Sequence, residues 1–166
     1  MPAKKKKPAA KKSSRRPAKR AARKAATPKR TARKQPESLR LTDLVVSITA
    51  NDLMRSRDWY RDVLGFTVAE EWEREGQVIG MRLVAGRSTI MLGQDDFKKG
   101  RDRVKGLGSR LYLITTQDVD ALADRARAKG QALDSGPIDQ EWGAREFDVT
   151  DPDGFKLTIG KWKSGS

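Results

Sequence analysis

The 166-residue chain contains no cysteine and no histidine. Without cysteine there is no disulfide framework, no zinc-thiolate site and no thiol nucleophile. Without histidine there is no imidazole base, no Ser-His-Asp triad and no imidazole metal ligand, which removes the commonest route to acid–base or transition-metal chemistry near neutral pH. Carboxylates, lysine, tyrosine and backbone groups remain. No uninterrupted apolar run approaches the roughly 20 residues that a membrane span needs, which predicts a soluble protein. The N-terminus also lacks the apolar core of a secretory signal. The length suits one domain with an appendage.

Acidic residues are missing from residues 1–36, MPAKKKKPAAKKSSRRPAKRAARKAATPKRTARKQP, which hold 16 of the chain's 36 Lys+Arg and five of its 7 prolines. The segment also has no Leu, Ile, Val or aromatic residue. It cannot bury enough apolar surface to offset its ordering entropy, and its like charges repel, so residues 1–38 are predicted to be a disordered tail. The remainder is close to neutral, so the net charge of +14 belongs to the tail. A flexible polycation suits phosphate backbones, because each cation that neutralises a phosphate releases condensed counterions. The expected contacts are Lys4, Lys5, Lys6, Lys7, Lys11, Lys12, Arg15, Arg16, Lys19, Arg20, Arg23, Lys24, Lys29, Arg30, Arg33 and Lys34. The Lys/Pro/Ala alternation and the TPKR unit at Thr27–Arg30 resemble linker-histone tails, which implies binding without sequence preference. A solubilising tail, a tether to an anionic membrane and a nuclear-targeting run are the competing readings of the same composition. Localisation follows the nucleic acid: cytoplasmic and nucleoid-associated in a bacterium, nuclear in a eukaryote.

The rest reads as a repeated unit. In LTDLVVSIT (41–49), Leu44, Val46 and Ile48 share one strand face while Val45, Ser47 and Thr49 take the other. Asn51 and Asp52 start a helix carrying Leu53, Tyr60, Val63 and Leu64 at helical spacing, and Gly65 stops it. Strands are predicted near Phe66–Trp72, Val78–Val84 and Thr89–Leu92, giving βαβββ. After a polar loop (94–108) the order returns: a strand in LYLITT, a helix in DVDALADRARAKG, then short strands near Ala132–Leu133, Arg145–Val149 and Phe155–Ile159. The matching spacing supports an internal duplication, with modules at about 41–94 and 109–161 of a domain spanning 39–163. Two half-sheets that each bury one face under a helix leave their other faces free, and together those faces can form a cleft.

NDLMRSRDWYRDVLGF (51–66) resembles the first-module helix of the vicinal oxygen chelate superfamily, and WGAREFDVTDPDGFKLTIG (142–160) its second-module hairpin. The Trp-Gly-x-Arg-Glu-Phe run followed by Asp-Pro-Asp-Gly is most similar to the bleomycin-resistance and glyoxalase-like branch. The resemblance implies an α+β fold of two tandem βαβββ modules around a U-shaped cleft, assembled as a homodimer. Metal-dependent members place four ligands, mostly His and Glu, on cleft-facing strands. The resemblance puts those positions at Val45, Met91, Arg110 and Thr158, and strand phase supports the placement: Leu111 and Leu113 turned inward leave Arg110 and Tyr112 on the open face. A valine, a thioether, a guanidinium and a lone hydroxyl do not hold a hard divalent cation. No metal or other cofactor is therefore expected, and metal-dependent glyoxalase or dioxygenase chemistry is not.

The same phase places Val45, Ser47, Thr49, Met91, Arg110, Tyr112, Glu146, Asp148, Lys156 and Thr158 on the open faces, a mixture suited to binding an organic ligand. Trp72 and Trp142 fall near strand and loop ends, where an indole either stacks on a planar ligand or packs against protein. Arg110 and Glu146 either meet a ligand or form an ion pair across the cleft. Metal-free members of the resembled branch bind a drug between subunits without chemistry, which makes a small-molecule binder tethered to nucleic acid the leading expectation. The alternatives are a metal-independent lyase or isomerase with Glu146 or Asp148 as general base, and a chromosome-associated protein whose folded domain serves dimerisation.

Overall fold

The computed structural model describes residues 41–163. The expected tail, with every lysine and arginine named above as a nucleic-acid contact, lies outside the described residues. The first module runs β1 (Val46–Ala50), α1 (Leu53–Trp59), β2 (Thr67–Arg74), β3 (Gln77–Ala85) and β4 (Ser88–Gln94); the second runs β5 (Arg110–Ile114), α2 (Val119–Ala128), β6 (Ser135–Asp139), β7 (Ala144–Thr150) and β8 (Lys156–Trp162). Each module is βαβββ and each forms one four-stranded mixed sheet, ordered β1-β4-β3-β2 and β5-β8-β7-β6. The fold is α+β, with the first strand of each module paired in parallel to its last and placed at a sheet edge. Among the described residues no helix is long and apolar enough to cross a membrane.

Both helices start on an aspartate whose side chain accepts from the first turn: Asp52 from the Arg55 N–H, and Asp118 from those of Asp120 and Ala121. The first helix ends in a π-helical turn, Tyr60–Leu64, closed by Gly65 in the left-handed region at φ 81°. Alternation along the strands turns Ile48, Met81, Leu83, Ile90 and Leu92 of one sheet, and Phe147, Val149, Leu157 and Ile159 of the other, into one cluster with Leu53, Tyr60, Val119 and Ala123 of the helices. Tyr60 sits at its centre, edge-on to Trp59 and Phe66.

Two expected strands are corrected. The strand expected over 41–49 begins only at Val46, because the ladder with β4 starts at the Val46–Ile90 pair, and Leu44 is left exposed instead of joining the core. The strand expected at Ala132–Leu133 lies instead at Ser135–Asp139. Pro137 obscures it: proline donates no ladder hydrogen bond, yet β6 is an edge strand, where that loss is tolerated.

The two stretches that carried the family resemblance grip one another. In the turn Asp151-Pro152-Asp153-Gly154, Asp153 accepts the Asn51 N–H (2.6 Å) and the Ser56 hydroxyl (2.6 Å), while Asp151 accepts the Tyr60 phenol (2.9 Å) and the Asp153 and Phe155 amides. Ser56 and Tyr60 are four residues apart and share one helix face, so one turn of the second module reads one face of the first module's helix. The polar loop after β4 closes the same junction. Its Lys105 is buried, donates to the Thr49 carbonyl (3.0 Å), and pairs with Asp95 at 2.8 Å and Asp153 at 3.7 Å. Arg103 also binds Asp95. Gly106, at φ 71°, presses so closely on the turn that an added Cβ would lie 2.6 Å from the Gly154 carbonyl oxygen.

Hydrogen bonds from Lys105, the Phe97 amide and Arg103 hold the Asp95 carboxyl well below the ordinary value of 3.8, against the opposing effect of burial. A carboxylate with a depressed folded-state pKa contributes stability that is present above the unfolded-state value and lost as pH falls. Burial moves Asp151 upward, so its contribution has the opposite sign: it favours the fold on the acid side and fades as pH rises through the folded-state pKa. Urea unfolding midpoints are therefore expected to fall as pH drops below 3.8, and Asp95→Asn is expected to flatten that acid limb. An unchanged limb in the variant would remove Asp95 from this role.

Candidate functional site

The faces turned away from the core carry the expected site residues in two separate groups. On the first sheet, Ser47 and Met91 are paired across β1 and β4, and with Trp72, Ile79, Gly80 and Gly93 they line a shallow cavity of about 310 Å³. Trp72 lies inside β2, not at its end, and its indole rests on Gly80, where a Cβ would stand 3.0 Å from the ring carbon Cε3. Glycine at that position is what lets the ring lie against the strand. The indole N–H is held by Glu70 at 3.0 Å.

The second sheet carries the polar group. Arg110 Nη1 reaches Asp148 Oδ1 (2.7 Å) and the Thr158 hydroxyl (2.8 Å), and Thr158 donates to the same Asp148 oxygen (2.6 Å). Ser135 donates to Asp148 Oδ2 at 3.1 Å. The Tyr112 phenol donates to Glu146 Oε2, and Tyr112 crosses Gly160, where a Cβ would lie 3.0 Å from its hydroxyl oxygen. Each sheet thus presents one aromatic residue laid on one glycine. Around Tyr112 the open end of this sheet is apolar, with Ile114, Ile138, Trp142 and Trp162 exposed. Lys156 is exposed beside Arg110 in the β5–β8 ladder.

An ion pair between Arg110 and Glu146 is not what forms. Arg110 binds Asp148 within its own sheet, while Glu146 is buried against Tyr112. Burial opposes the charge on Asp148, but hydrogen bonds from Thr158, Arg110 and Ser135 outweigh it and keep the pKa below the usual carboxylate value. Burial, then the hydrogen bond to Glu146, raises the Tyr112 phenol, with the Trp142 indole acting the other way. Among the described residues no hydrogen bond or ion pair joins this group to the Ser47–Trp72–Met91 group.

The four positions at which the resemblance implies metal ligands do not fit a divalent cation. Val45 and Met91 offer no hard donor, and the Thr158 hydroxyl is already engaged by Asp148 and by the cation of Arg110, which would repel a second positive charge. Among the described residues no three His, Cys, Asp or Glu side chains come together in a way that would hold a metal. Sequence reasoning missed the buried set Asp95, Lys105, Asp151 and Asp153. Their polarity reads as loop, and only a loop long enough to need internal support hints otherwise.

The paired βαβββ modules and their open faces define the class. A profile of the Glyoxalase/Bleomycin resistance protein/Dioxygenase superfamily matches residues 43–159, and the chain belongs to that family. Among solved structures it is similar to TioX from Micromonospora sp. ML1 at 22% identity, covering 72% of this chain and 98% of that one with a TM-score of 0.60. TnmS3, an antibiotic binding protein from Streptomyces sp. CB03234, matches at 24% identity over 72% of this chain and 93% of that one, TM-score 0.57. A glyoxalase/bleomycin resistance protein/dioxygenase from Nocardioides matches at 18% identity over 78% and 89%, TM-score 0.60. At these identities the likeness establishes the shared fold. No curated protein matches the chain.

Proposed function

We propose that the protein binds an organic, planar ligand on its open sheet faces without a metal, and that its N-terminal polycation tethers it to nucleic acid. The observation that carries the first part is the division of labour on those faces. The aromatic rings of Trp72 and Tyr112 lie against glycines beside exposed apolar side chains, while Arg110, Asp148 and Thr158 satisfy one another. Such a surface offers stacking area and a few oriented polar groups and lacks an uncommitted acid–base pair. The antibiotic-binding relative has the same fold, which supports a ligand of that chemical type. Because β1 and β5 are both edge strands and, among the described residues, no hydrogen bond or ion pair joins the two groups, we assign the complete site to a homodimer that sets one subunit's Ser47–Trp72–Met91 face opposite its partner's Tyr112 face.

A metal-independent enzyme is the second reading, favoured by the buried Glu146 carboxylate bonded to Tyr112, a pair able to move a proton. The two separate in one assay of the ligand that co-purifies with the full-length protein. Stoichiometric release of that ligand unchanged, insensitive to chelator and to Glu146→Gln, is the expected result. Turnover that survives chelator and disappears in Glu146→Gln would establish the enzyme instead.

A further inference from the structure

A second cavity, of about 620 Å³, lies between the two modules on the core side of the second sheet, where Leu113, Phe147 and Ile159 point away from Thr158 and Glu146. Its volume falls within the roughly 300–1,000 Å³ of typical small-ligand sites. The first module contributes the end of the π-helical turn, Val63 to Phe66, and the β3–β4 turn with Arg87; the second contributes the β5–α2 connection together with Leu122 and Arg125 of α2. The lining is apolar at its base and includes two arginines and no aspartate or glutamate. Among the described residues neither arginine has an ion-pair partner. Arg125 donates from Nε (3.2 Å) and Nη2 (3.1 Å) to the Val63 carbonyl, which fixes its guanidinium against Gly65 and leaves Nη1 uncommitted. A held guanidinium beside an apolar wall, with no carboxylate of its own, is the arrangement that recognises an anionic head on an apolar body.

We propose that this inter-module cavity is a binding site for a small organic carboxylate with an alkyl or aryl body, separate from the open sheet faces. The body lies along Val63, Leu122 and Phe147, and the carboxylate meets Arg87 and the free edge of Arg125. The site does not rest on the reading of the open faces, since Ile114, at the sheet edge, is the one residue named there that also lines this cavity, and the proposed contacts do not use it.

The test is a methyl-detected NMR titration of the full-length protein with decanoate, and with 1-decanol as its uncharged counterpart. Decanoate is expected to shift the Val63, Leu113 and Leu122 methyls with one-to-one saturation, to leave Met91 unmoved, and to bind at least about tenfold more tightly than decanol. Arg87→Gln, on an exposed turn, is expected to weaken decanoate about tenfold with the spectrum otherwise intact, and Arg125→Gln to weaken it further at some loss of stability from the uncapped Val63 carbonyl. Equal affinity for decanoate and decanol, shifts confined to Met91, or binding to the basic N-terminal segment that leaves these methyls in place would each overturn the proposal. So would an Arg87→Gln variant that binds decanoate as the parent does.

Discussion

Deleting residues 1–36 is expected to abolish retention on DNA at physiological salt. The deletion removes 16 basic residues and leaves 20 basic against 22 acidic ones, so the remaining chain has no net attraction for a polyanion. For the full chain, engagement of about 6–10 phosphates would cost roughly 10³–10⁵ in affinity between 50 and 200 mM salt, with a log–log slope near −0.9 per phosphate. Scrambling the order of the tail residues is expected to change little, since affinity that comes from neutralising phosphates depends on the number of cations and not on their order. Fluorescence anisotropy with a mixed-sequence duplex across a salt series reads all three. Undiminished binding by the truncated chain would move nucleic-acid recognition to the folded domain.

Replacing Asp153 by alanine is expected to lower the unfolding free energy by about 3 kcal/mol, because the donors that its carboxylate accepts from would be stranded on removal of one member of a buried charged network. The Ser56 hydroxyl is 1% exposed and would lose its acceptor, and Lys105, with its side chain 2% exposed, would keep only Asp95 and the Thr49 carbonyl. For a domain of this size the loss corresponds to a fall in Tm of roughly 10 °C. Asp153→Asn keeps one oxygen to accept the Asn51 N–H, and its amide NH2 can donate to the Ser56 hydroxyl in place of the second oxygen, so it is expected to lose less. Calorimetry of the three proteins checks the order; an alanine variant that melts with the parent would mean that the turn does not hold the modules together.

Local signals were legible where a single residue type sets the backbone. Asp52 and Asp118 mark helix starts because a short carboxylate reaches the next turn's N–H groups, and Gly65 and Gly130 mark stops because their φ of 81° and 80° suits glycine. Strand phase correctly set Ile90, Leu92, Leu157 and Ile159 inward, since a period of two leaves no other choice once one face is buried; Met91 and Thr158 lie on the opposite face, but Thr158 is 2% exposed and so buried there instead of open. Pairings across strands were not legible. Arg110 meets Asp148 instead of Glu146 because β8 lies between β5 and β7 and brings Thr158 beside both, a consequence of strand order that spacing does not encode. Nor was the burial of Asp95 and Lys105, whose partners come from β1 and from a turn about fifty residues downstream. The Asp-Pro-Asp-Gly turn was visible as a motif, while its task of gripping Ser56 and Tyr60 emerged only from the packing.

The modules also differ in a way that bears on ligand choice. The first offers an apolar trough of Met91, Ile79 and Trp72; the second offers aromatic area around a fixed Arg110–Asp148–Thr158 set. In the proposed dimer a ligand between two such faces would have one side stacked and the other facing fixed polar groups, a combination that would discriminate among planar compounds by their polar substituents. Native mass spectrometry of the full-length protein purified without added metal measures subunit number, retained ligand and bound metal together. A dimer carrying an organic mass and no divalent ion is the expected result; a monomer, or a stoichiometric divalent metal on each chain, would contradict the proposed metal-free site between subunits.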